Sequence, residues 1–157
     1  MSRLEADVRR LLDIEEIKAL KYRYCRHNDG GWPDQPTSHQ GPSADLFIEN
    51  GVWDGRPVLP LAEGREEIRR LFDRFSSLFV MAYHTVTNPI IEIDGDDAWA
   101  HWHIISASEV TSGRASLSIS SYDDEYVRTD AGWRFKRIRL VTGRSTKLPE
   151  GWRGPRS

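Results

Sequence analysis

The stretch YHTVTNPIIEIDGDDAWAHWHIISASEV, Tyr83 to Val110, decides how this chain is read. Two runs rich in β-branched and aromatic residues flank the turn signal DGDD, which is the pattern of an antiparallel hairpin. Two more runs of the same kind follow, and the reading places strands over Tyr83–Ile93, Ala98–Val110, Arg114–Arg128 and Trp133–Val141. The turn signals TSG and TDAG separate the last three. An antiparallel meander therefore fills the second half of the chain.

The first half has the other periodicity. From Ser2 to about His27, apolar residues recur by threes and fours (Leu4, Val8, Leu11, Ile14, Ile17, Leu20, Tyr24), as one face of a helix requires. Ser2 with Glu5, and Asp13 with Glu16, both fit a capping box, so a break near Asp13 is expected. Density of Asn, Asp, Gly and Pro in HNDGGWPDQPTSHQGPS (His27–Ser43) excludes helix and central strand, and predicts a long loop of the kind that lines sites or moves. ADLFIEN reads as a short helical turn closing at Gly51, and GVWDG as a short strand. A further helix starts after Gly64, with Ile68, Leu71, Phe72, Phe75 and Phe79 as its buried stripe. Helices gathered first and strands last predict an α+β domain in which helices cover one face of a curved antiparallel sheet.

Composition limits the function. The chain has 157 residues, 38% of them hydrophobic, which suits one domain with a core of its own, spanning residues 1–157 with a loosely ordered tail over 145–157. A net charge of −2 favours neither nucleic acid nor an anionic membrane as partner. Cys25 is the only cysteine, so no intrachain disulfide exists; it reads as a small buried side chain in a reducing compartment. No leader and no apolar run of membrane-spanning length is visible, and a cytoplasmic location is expected. G-x-G-x-x-G, G-x-x-x-x-G-K-[ST] and G-x-S-x-G patterns are absent, which argues against nucleotide-dependent chemistry and serine hydrolysis.

DIEEIKALKYRYCRHND, LFIENGVWDG, GREEIRRLF, HTVTNPIIEIDGDDAWAHW and YDDEYVRTDAGWRFKRI together resemble the SnoaL-like branch of the NTF2-like superfamily over nearly the whole chain. That branch includes polyketide cyclases, scytalone dehydratase, bile acid 7α-dehydratase and hexachlorocyclohexane dehydrochlorinase. The resemblance implies a cone-like barrel of cystatin-like fold, with a bent sheet around a long helix and an apolar pocket between them. It implies a histidine on the first long strand paired with an aspartate just after the first long helix, which fall here on His84 and Asp29. The residues alone leave His84 open as a satisfied core histidine and Asp29 as a turn residue.

The chemistry that such a dyad carries is proton abstraction beside an activated carbon. A neutral imidazole has its ordinary pKa near working pH, and a carboxylate on one ring nitrogen aims the other and stabilises the imidazolium. Tyr24 falls where bile acid dehydratase-like sequences also carry tyrosine and the dehydrochlorinase carries lysine, which favours loss of water or enolisation over halide loss; the same tyrosine fits the apolar stripe of the helix. Trp53 and Tyr122 match pocket-lining positions, and the family register turns Trp102 and Ser106 inward with Ala100 and Ile104. His101 and His103 share the opposite strand face, where two imidazoles resemble half a zinc site without further ligands. Arg134, Arg137, Arg139 and Arg144 cluster near the last strand and read as solvated. The expectation is a cofactor-independent, metal-free lyase or isomerase, dehydratase-like or cyclase-like. Its substrate is a small hydrophobic oxygenated ring compound, with catalytic residues His84, Asp29 and Tyr24 and substrate contacts from Trp53, Trp102, Ser106 and Tyr122. The resemblance also implies a homodimer or homotrimer. The alternative is a non-catalytic binder or assembly subunit, such as a relative of ring-hydroxylating dioxygenase β subunits.

Overall fold

The structure is a computed structural model that describes residues 2–149 and Trp152. Its elements are α1 (Arg3–Asn28), a 3₁₀ turn (Ser43–Leu46), β1 (Phe47–Asp54), β2 (Leu61–Glu63), α2 (Arg65–Leu78), β3 (Phe79–Asp94), β4 (Asp97–Val110), β5 (Ala115–Thr129) and β6 (Gly132–Lys147). The α+β architecture expected from the sequence is the one observed.

α1 begins at the capping box of Ser2 and Glu5 and runs unbroken for 26 residues. The second capping signal, at Asp13, has another use. Arg128 clamps its carboxylate with two hydrogen bonds of 2.7 Å, and Trp133 Nε1 donates to it at 3.2 Å. Those bonds hold Asp13 below the usual carboxylate range, with burial opposing them. Only the later part of the apolar stripe is buried: Ile17, Leu20 and Tyr24 enter the core, whereas Leu4, Val8 and Leu11 stay exposed.

The sheet order is β2-β1-β6-β5-β4-β3. β3 to β6 form the expected meander, and the chain's return brings β6 against β1 as a parallel pair. The residues Phe47 to Asn50, read as part of a helical turn, are strand, because Phe47 pairs with Phe135 across this junction. Phe79 opens β3 instead of closing α2. β6 extends to Lys147, so residues 145 to 147 pair with β5 and are not tail; of the rest of that expected tail only 148, 149 and 152 lie among the described residues.

Register shifts at Thr87/Ile90 in β3 and Ile119/Ser121 in β5 mark the bulges that bend the sheet. Its concave face wraps α1 and buries Trp102, Tyr126, Trp133, Phe135 and Ile138 against the helix. One charge pair lies in this core: Lys21 Nζ is 2.8 Å from Asp124 Oδ2 with both side chains fully buried, and Lys21 also stands 3.5 Å from the Tyr122 ring centroid. No helix among the described residues is long and apolar enough to cross a membrane.

Candidate active site

The sequence NDGG ends α1 and at once ties the chain to β3. Asp29 is the C-cap residue, extended at φ −74° and ψ 154°, with its N–H bonded to Cys25 O. Gly30 then forms an antiparallel bridge with Ala82, with N–H···O distances of 2.9 Å in both directions. Gly31 has φ 109°, and a Cβ there would lie 2.6 Å from Met81 Cα, so the close approach of loop and strand requires glycine.

This clamp sets Asp29 beside His84. Asp29 Oδ1 accepts the His84 backbone N–H at 2.9 Å and lies 2.8 Å from His84 Nδ1. An ionised carboxylate only accepts, so Nδ1 carries the proton and Nε2 keeps the lone pair. Both side chains are about 15% exposed, 16% for His84 and 15% for Asp29. His84, with Asp29 behind it, forms part of the wall of a cavity of about 260 Å³.

The cavity lining is of two kinds. Tyr24, Trp53, Phe72, Phe75 and Tyr122 supply aromatic rings. Ser106 and Ser108 on β4, Ser116, Ser118 and Ser120 on β5, and Thr142 and Ser145 on β6 supply hydroxyls. Among the described residues, no aspartate, glutamate, lysine or arginine lines the cavity. A charged ligand would find no counter-ion there, so the lining favours a neutral one.

Tyr24 reaches this cavity although helix geometry sets it far around the axis from Asp29. The helix stops at Asn28, and the loop turns back. Trp53 Nε1 donates to Tyr24 Oη at 2.8 Å, which occupies an acceptor site of the phenol and leaves its own proton to be donated. Burial pushes the Tyr24 phenol far above its ordinary pKa, so it donates hydrogen bonds without ionising.

Of the expected substrate contacts, Trp53, Ser106 and Tyr122 line the cavity, and Trp102 does not. Trp102 is fully buried behind it, with Nε1 donating to Tyr126 Oη at 3.2 Å. Its inward direction was implied by the family register, but the depth at which packing closes over it was not. Two lining features escaped the sequence reading. The alternate serines of SASEVTSGRASLSISS were a visible signal. His39 was not: it comes from the long loop, at φ 57°, and no periodicity fixes where such a residue points.

His101 and His103 lie on the outer face. His101 Nδ1 is 2.7 Å from Asp123 Oδ1, a second imidazole–carboxylate pair, but the two side chains are 40% and 51% exposed. They border an open depression of about 470 Å³ with Glu125, Arg137 and Arg139, where water competes for every polar group. Among the described residues, no group of three or more histidine, cysteine or acidic side chains is placed to hold a metal ion. Burial raises the Cys25 thiol to about 12, against the opposing Lys21 charge, so it is not a nucleophile at neutral pH.

The family described as the SnoaL-like domain matches residues 9–139. No curated protein matches the chain. Among solved structures, hexachlorocyclohexane dehydrochlorinase LinA-type3 from Novosphingobium barchaimii LL02 has a TM-score of 0.80 at 19% identity, covering 96% of this chain and 99% of that one. A protein from Novosphingobium aromaticivorans DSM 12444, provisionally described as a scytalone dehydratase, gives 0.75 at 22% identity with coverage of 92% and 97%. An NTF2-like protein with a cystatin-like fold, also from N. aromaticivorans, gives 0.69 at 27% identity, with coverage of 88% and 87%. These likenesses establish the fold as NTF2-like.

Proposed function

The chain belongs to the SnoaL-like domain family, and from that premise we propose that it is a lyase or isomerase needing no cofactor. It acts on a neutral, apolar, oxygenated ring compound through the His84–Asp29 dyad. The observation that carries the reading is the 2.8 Å contact of His84 Nδ1 with Asp29 Oδ1 on the wall of a cavity without charged lining. The likeness to a dehydrochlorinase and to a protein provisionally described as a scytalone dehydratase agrees with elimination as the type of reaction.

In this proposal His84 Nε2 takes a proton from a carbon beside a substrate carbonyl, and the C–H electron pair moves into the carbonyl system as an enolate. Asp29 holds the ring and offsets the positive charge that develops on it. Tyr24 donates to the enolate oxygen, with Trp53 fixing the direction of the phenol. When a β-hydroxyl is present, the C–O bond breaks as the double bond forms, the departing oxygen takes the proton back from His84, and water leaves. Without a leaving group, return of the proton to a different carbon gives isomerisation.

A panel of cyclic ketones and β-hydroxy cyclic ketones in D₂O tests this, with α-proton exchange and water loss followed by NMR. Wild type should catalyse exchange of at least one member, and His84→Ala should lose about 10²-fold or more in rate with its circular dichroism unchanged. Equal rates in the two proteins would overturn the mechanism and leave a binding protein.

A further inference from the structure

The long loop brings a second imidazole to the cavity. The His39 ring is buried beside His84, with centroids 6.3 Å apart and planes at 86°, and it packs on Phe75 and Phe79 at 5.5 and 5.3 Å. All three neighbours line the cavity, as His39 does.

Its tautomer follows from a short chain of hydrogen bonds. Ser38 Oγ lies 2.8 Å from the carbonyl oxygen of Phe79, which can only accept, so the hydroxyl proton of Ser38 is committed there. His39 Nδ1 lies 3.2 Å from the same Ser38 Oγ, which must then accept from it. Nδ1 therefore carries the ring proton and Nε2 the lone pair. No described residue donates to that Nε2. Position is fixed on the backbone too, since His39 N–H bonds Asn28 O at 3.2 Å and ties the loop to the end of α1.

The two histidines thus differ in kind. His84 has a carboxylate behind it, 2.8 Å from Nδ1. His39 has only a hydroxyl behind it, and burial, with the His84 imidazole adding to it, lowers its pKa to about 3. At neutral pH the ring accepts a hydrogen bond and does not take the proton outright. The free Nε2 lone pair can take a hydrogen bond from a ligand or from water.

We propose that His39 Nε2 accepts a hydrogen bond from a hydroxyl group of the substrate, so that the site selects ring compounds carrying a hydroxyl beside the carbon that faces His84. The proposal rests on the cavity being the substrate site, and is tested by binding, so turnover does not enter. Phenol and anisole are the probes: both are small neutral rings, and only phenol can donate.

Histidine ¹⁵N spectra of the free protein should show His39 protonated at Nδ1, and phenol should shift Nε2 where anisole does not. Phenol should bind about fivefold to tenfold more tightly than anisole, the size of one net hydrogen bond. The preference should vanish in His39→Phe and persist in His39→Gln, whose amide oxygen accepts. A free protein with the Nε2–H tautomer, equal affinities for the two probes, no shift with phenol near its solubility limit, or a preference retained in His39→Phe would each overturn the proposal. The tautomer readout needs no variant, so a His39→Phe that fails to fold leaves it testable. Failure of the lyase reading would appear instead as an inactive ketone panel with the phenol preference intact.

Discussion

His84 and Tyr24 bring different capacities to the cavity, and the difference lies in their partners. The Asp29 carboxylate holds the His84 ring by Nδ1, whereas the Trp53 indole on Tyr24 directs a phenol that keeps its proton. If Tyr24 donates to the enolate as proposed, removing its phenol oxygen removes a donor to developing negative charge, a loss of order 10² in rate where such donors have been deleted. In the ketone exchange assay Tyr24→Phe should therefore be slower by about 10-fold to 10²-fold, with the His84–Asp29 contact unaltered. An unchanged rate would assign Tyr24 to the apolar stripe of α1 alone. His84, Asp29 and Tyr24 could be named from the sequence because a family resemblance placed them. His39 could not, because a loop residue has no register to constrain it.

Elements act here through their ends. α1 matters to the site less for its packed face than for stopping at Asn28, which lets Asp29 turn towards β3 and lets Gly30 bridge to Ala82. Gly31 carries the tightest condition, a φ of 109° with Met81 in the path of any side chain. Gly31→Ala should cost about 2 kcal/mol or more, since the backbone conformation and the contact both oppose a Cβ. Urea unfolding would measure that cost, and the His84 ¹⁵N signals would report whether Asp29 has moved away. A variant as stable as wild type would mean that the loop has another conformation open to it. The turn chemistry of NDGG was legible in the sequence, and the strand beside it was legible only through the family resemblance.

For the molecule as a whole, His39 links the site to stability. In the unfolded chain its pKa is the ordinary 6.5, and in the folded protein it is about 3. Above 6.5 both states are neutral and pH has no effect through this group. As pH falls from 6.5 towards 3 the unfolded chain takes up a proton that the folded protein refuses, so stability declines by up to about 1.4 kcal/mol per pH unit. Asp13 and Asp54, both held low by arginine partners, act in a lower window: their stabilisation is present above the ordinary carboxylate value and is lost as they protonate in the folded state. Urea unfolding of wild type and His39→Gln at pH 7, 5.5 and 4.5 isolates the histidine term. The variant should lose less stability on acidification, and parallel profiles would show that His39 is protonated in the folded protein.

The sequence by itself determined the α+β class, helix over most of the first 27 residues and again after Gly64, the four long strands and, through resemblance, the positions of a candidate dyad. These follow from periodicity and turn chemistry, which act between residues close in the chain. Tertiary structure alone decided that β1 runs parallel to β6, that Asp13 binds Arg128 and does not cap a second helix, and that Trp102 is buried in the core and does not line the cavity. It alone brought His39 beside His84, a contact between residues 45 positions apart. Such contacts depend on how a bent sheet and a returning loop fill space, and local propensity carries no information about them.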